Sequence, residues 1–111
     1  MCDIEKIKWS IQDLIKFLGS IDSGSYFEQM NYLQGLIDLI ESKKTPLFIE
    51  QINSAELWGG SGSVWESEYG MTAEQRNRLN DILLQLLIRM KEEKIIKQRA
   101  RKILKLLEKK V

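Results

Sequence analysis

The chain has 111 residues, 43% of them hydrophobic and 30% charged, with a net charge of +1; this fits one domain with a modest core and excludes a disordered polyelectrolyte. It holds no histidine and one cysteine, Cys2, which excludes an internal disulfide and removes the commonest neutral-pH general base and zinc nitrogen ligand. No stretch approaches the roughly 20 apolar residues of a membrane-spanning helix, and Met1 to Lys6 lacks the basic-then-apolar order of a signal peptide, so a cytoplasmic protein is expected.

In the first segment Ile4, Ile7, Ile11, Leu14, Ile15 and Leu18 recur at spacings of three and four, which places them on one stripe of a helix that Gly19 ends. Trp9 and Phe17 fall on the far side of that helix, where a second packing surface is expected in preference to an exposed partner site. Ser25 and Glu28 have the spacing of a capping box and open a second helix, with Tyr26, Met30, Leu33, Ile37 and Ile40 inward and a stop at Ser42-Lys43-Lys44. Thr45-Pro46 reads as an N-cap followed by proline at the first helical position, starting a third helix to about Glu56 with Phe48, Ile49 and Ile52 inward.

Periodicity stops from Leu57 to Gly70, in the segment Leu57-Trp58-Gly59-Gly60-Ser61-Gly62-Ser63-Val64-Trp65-Glu66-Ser67-Glu68-Tyr69-Gly70. Three glycines in four residues predict a loop, with the glycines at positive φ. Thr72 and Gln75 form a second capping box, and a stripe of Leu79, Ile82, Leu83, Leu86, Leu87, Met90, Ile96, Ala100, Ile103, Leu104 and Leu107 then continues to the end. One unbroken helix there would be roughly 55 to 60 Å long, so it either breaks near Lys91 to Lys94 or projects an apolar end that needs a partner, as in a homodimer. The fold class expected is all-α: a bundle of four or five helices, three of them within about residues 3–56, then a Gly/Trp-rich loop at 57–70 and a long helix or helix pair over 72–110.

The glycine-rich loop lacks the lysine of a phosphate-binding P-loop, and Glu66 and Glu68 would repel phosphate. Those two carboxylates also lack the third oxygen ligand of a magnesium site, so neither a cofactor, a metal nor a catalytic constellation is expected. Two readings of the loop remain: Trp58 and Trp65 plug the core, or Trp58, Trp65, Glu66, Glu68 and Tyr69 form a partner-binding patch of aromatic anchors with a charged rim. Both can hold at once.

Charge is divided along the chain, with 7 basic and 13 acidic residues in 1–88 and 10 basic and 3 acidic residues in 89–111. The basic end reads either as a solvated helix face or as a phosphate-contacting surface with Lys97, Arg101 and Lys105 as candidates. It has no aromatic residue for base stacking, and a membrane-surface helix is the weaker alternative.

The Leu57-to-Glu66 segment, with Gly59-Gly60-Ser61-Gly62-Ser63 at its centre, resembles the Gly-Gly-x-Gly-Ser loop of small, uncharacterised bacterial helical proteins, some of them immunity-type partners of toxins. The resemblance spans about ten residues within a compatible helical layout. It implies a noncatalytic protein that inhibits a toxin by occlusion, and it carries over no catalytic residue.

Overall fold

The computed structural model describes residues 4–21, 26–59, 63–65 and 71–109. These fold into an all-α bundle of five helices and one short helical turn: α1 (Ile4–Gly19), α2 (Phe27–Glu41), α3 (Thr45–Ile52), the turn α4 (Ala55–Trp58), α5 (Ala73–Glu92) and α6 (Gln98–Lys109). α1 lies between α2 and α5, α3 returns along α2, and α6 folds back onto α5 and α4. A single cluster of buried side chains runs through all six elements. No helix among them is long and apolar enough to cross a membrane.

The apolar stripe of α1 is buried at Ile7, Ile11, Leu14 and Leu18, as its spacing requires, with Ile4 and Ile15 at the edge of the core. Phe17 also packs against that core. Trp9 does not: it is 54% exposed, so the expected second packing surface extends to Phe17 alone. In α2 the buried face is Gln29, Leu33, Leu36 and Ile37, one step round from the expected stripe, which leaves Met30 and Ile40 half-buried. The reason is that α2 packs against both α1 and α3, so its covered face is wider than one stripe and takes in Leu36.

The helix starts differ in how closely they follow their sequence signals. Thr72 caps α5 as predicted: its hydroxyl accepts from the Gln75 backbone N–H at 3.1 Å, and the Gln75 side chain accepts from the Thr72 N–H at 2.9 Å. α2 begins with Tyr26 at the N-cap and no side-chain cap bond there; the box expected from Ser25 and Glu28 rests on Ser25, which lies outside the described residues. In α3 the cap is Lys44 and Pro46 stands at the second helical position, one residue earlier than expected, which still suits a residue without an N–H.

α2 and α5 end alike. Lys43 N–H bonds to Ile40 O at 3.1 Å and Lys44 N–H to Leu39 O at 2.9 Å; Lys94 N–H bonds to Lys91 O and Ile95 N–H to Met90 O, both at 3.0 Å. Each is a Schellman closure, with Lys43 (φ 59°) and Lys94 (φ 61°) in the left-handed conformation usually filled by glycine. At Lys94 the chain turns, and Met90 and Ile95 are buried on either side of the turn. This resolves the C-terminal region into two helices. Among the described residues no helix end projects: the longest dimension is 38 Å, and Ile96, Ala100, Ile103, Leu104 and Leu107 pack within the same chain.

Candidate functional site

The segment expected to be a loop begins as structure. α3 ends at Ile52, not near Glu56, and Ala55–Trp58 forms the turn α4. Leu57 and Trp58 are therefore core residues. The Trp58 ring is 3% exposed, and its indole N–H donates to Ile52 O at 2.7 Å, which satisfies a carbonyl that the end of α3 would otherwise leave open. Of the two readings of this ring, the plug describes its position, and Trp58 is not part of an accessible partner surface.

Past Trp58 the chain doubles back on α4. Val64 N–H donates to Glu56 O at 3.0 Å, Trp65 N–H to Leu57 O at 2.8 Å, and the Ser63 hydroxyl to Gly59 O at 2.9 Å. Gly59 is required by this close approach. Its φ is −84°, in place of the positive value expected, and a Cβ there would sit 2.6 Å from Ala55 O. Val64 is buried, while Trp65 is half-buried against the core. Trp65 is thus held by its backbone and packs partly buried at the edge of the core. Gly60, Ser61 and Gly62, and likewise Glu66, Glu68 and Tyr69, lie outside the described residues.

Asn53 is a residue whose role no sequence signal announced. It is 6% exposed, and its amide nitrogen donates to Ile49 O at 2.8 Å and to Ile95 O at 2.9 Å while its oxygen accepts from Lys97 N–H at 2.7 Å. One side chain thereby closes the end of α3, holds the α5–α6 connection, and takes up the backbone N–H preceding α6. Beside it Tyr32 donates to Gln51 O at 2.9 Å and lies 2.7 Å from Ser54 Oγ, so the serine hydroxyl is left to donate to the phenol oxygen. Burial raises the Tyr32 pKa above its ordinary value, the Ser54 hydrogen bond lowers it, and the Glu56 carboxylate adds a further upward push.

The candidate basic residues divide by position. Arg89 faces α1, donating from Nη1 to Lys6 O at 2.8 Å and to Ser10 Oγ at 2.7 Å, and is a cross-link between helices. Lys97 precedes α6 and lines a cleft of about 610 Å³ with Glu50, Asn53, Gln98, Arg99 and Lys102. Arg101 is exposed, and its guanidinium donates to Ile96 O at 3.2 Å. Lys105 stands free on the outer side of α6, with Lys102 and Lys109.

A second set of clefts follows the seam between α1 and α5, with Asp13, Phe17, Arg78 and Asp81 recurring in its walls. Its charges are mixed, and sequence reading did not single it out because the residues come from positions more than fifty apart.

Fold and site together define a small helical-bundle protein with a structured Gly/Trp turn at one place and a basic outer helix at another. Comparison with protein-family models, with curated proteins and with solved structures gives no match.

Proposed function

We propose that this chain is a noncatalytic protein-interaction module of bacterial, cytoplasmic type, acting as an immunity-type inhibitor that covers a toxin. The observation that supports this reading is the placement of Trp65. Its backbone is tied to Leu57 O and its side chain packs partly buried against the core, so the part of the aromatic side chain left exposed is offered with little freedom to lose on binding. Glu66, Glu68 and Tyr69 follow directly in the chain and supply a carboxylate rim and a second aromatic ring for a basic partner surface. Inhibition is by steric and electrostatic occlusion and uses no cofactor. Trp58 contributes from beneath, by fixing the turn from which Trp65 emerges.

Affinity capture from a bacterial lysate, read by mass spectrometry, tests the proposal by comparing the wild type with Trp65→Ala and with Glu66→Gln/Glu68→Gln after circular dichroism has shown each variant folded. A stoichiometric protein held by the wild type and lost from both variants supports it. Capture that is identical for all three chains moves the binding surface elsewhere and ends this reading of the loop.

A further inference from the structure

α6 presents two faces that differ in kind. At 100° per residue Ala100, Ile103, Leu104 and Leu107 form its buried stripe, while Lys102, Lys105 and Lys109 point directly away from it and Arg99 flanks them. All four cations are exposed, and none has an ion-pair partner among the described residues. Glu108, the one carboxylate on α6, is roughly 90° round the helix from that ridge. Four positive charges therefore lie along about 15 Å of helix axis with no ion pair among the described residues, Arg99 and Glu108 standing on opposite flanks of the lysine ridge and Glu50 bordering the cleft beside Arg99 and Lys102.

We infer that this outer face of α6 docks on the phosphate backbone of duplex DNA, with Arg99, Lys102, Lys105 and Lys109 as the phosphate contacts. Charge complementarity is the first argument: a duplex carries about one negative charge per 1.7 Å of axis, and neutralising phosphates with lysine and arginine releases counterions. The fold disfavours the other occupants. A helix lying in a membrane surface needs its apolar face free, whereas that of α6 is buried against α5 and α4. A protein hot spot needs an aromatic or apolar centre, whereas the exposed face of α6 has no aromatic residue and one sizeable apolar one, Leu106 at 48% exposure. The lack of aromatics also removes the stacking platform of a single-strand binder, and the deep, narrow major groove of duplex RNA suits an approaching helix less than that of B-form DNA. The interaction reads no sequence, because lysine and arginine on phosphate carry no base information.

The test is fluorescence anisotropy of the full chain with a mixed-sequence DNA duplex of about 20 base pairs, titrated at roughly 50 and 200 mM salt. Four phosphate contacts predict about a hundredfold loss of affinity across that range, and Lys102→Gln/Lys105→Gln/Lys109→Gln, retaining Arg99, predicts only about a three- to fourfold loss from a weaker start. The charge-matched control Lys16→Gln/Lys43→Gln/Lys44→Gln removes three exposed lysines elsewhere and is expected to bind as the wild type does. Absence of binding by the wild type at the lower salt overturns the inference, as does equal weakening by the two triple variants. Tighter binding to single-stranded DNA, to duplex RNA or to anionic vesicles overturns the assignment to duplex DNA. Trp65→Ala leaves this binding intact, so the outcome is independent of the proposal for the loop.

Discussion

The Gly/Trp segment, 53–65 in its described parts, and the outer face of α6 use composition in opposite ways. The former is rich in tryptophan, glycine and polar side chains, yet Trp58, Asn53 and Ser63 are buried with their polar atoms bonded to main-chain groups. The latter is a run of exposed cations with no ion-pair partner among the described residues. Trp58, Asn53 and Ser63, polar or aromatic residues of the kind found at recognition surfaces, are thus used here to hold main-chain groups within the bundle, whereas the side chains of the charge run stay exposed. The lesson is that a side chain's chemistry states what it can bond to, and its surroundings state whether that capacity is already used.

The contrast is broken most severely at Trp58. Trp58→Ala removes a buried ring and the donor to Ile52 O, and is expected to destabilise by about 3–5 kcal/mol in urea unfolding, whereas Trp65→Ala, at the rim, costs clearly less. Equal costs would put both rings in the same environment and remove the distinction. Asn53→Ala comes next. It leaves Ile95 O and Lys97 N–H without their partner, at about 2–3 kcal/mol, and hydrogen exchange of the Lys97 amide should accelerate beyond the global effect.

Tyr32→Phe breaks the hydrogen bonds to Gln51 O and Ser54, at about 1 kcal/mol, and alters the response to alkali. Burial favours the neutral phenol, so its contribution is complete below the unfolded value near 10 and is lost as pH rises through the higher folded value. Wild-type stability therefore falls more steeply above pH ~10 than that of Tyr32→Phe. Parallel pH profiles would show that the phenol is equally solvated in both states.

At the turn between α5 and α6, Lys94→Gly relieves a left-handed lysine and is expected to stabilise by about 0.5–1 kcal/mol, read as a higher urea midpoint. The smallest change belongs to the α6 triple glutamine variant, whose stability should lie within about 0.5 kcal/mol of the wild type because the three lysines touch no partner. A large loss there would mean that the ridge supports the fold.

Much of the fold was legible in local patterns. The three- and four-residue spacing in α1 and after Thr72, and the Thr72/Gln75 box, each depend on contacts within a turn or two of helix, which adjacent residues specify by themselves. The break at Lys94 was legible as a choice between bending and projecting; Met90 and Ile95 decide it, because the turn lets α6 bury its stripe on α5 and α4. The α2 register, the exposure of Trp9 and the interior place of Trp58 were not legible in this way, since each depends on which second element covers it. The candidate site divides along the same line, with Trp65 and Lys105 recognisable by type and Asn53 recognisable only once Ile49, Ile95 and Lys97 surround it.

By itself the sequence determined the helical class, the positions of most apolar stripes and the charge division between the two ends, because helix periodicity and formal charge are properties of neighbouring residues. Only the tertiary structure decided that Trp58 and Arg89 are used internally while Lys102, Lys105 and Lys109 are not. Burial and hydrogen-bond satisfaction are set by segments as far as 42 and 83 positions apart in the chain, and no local pattern encodes those distances.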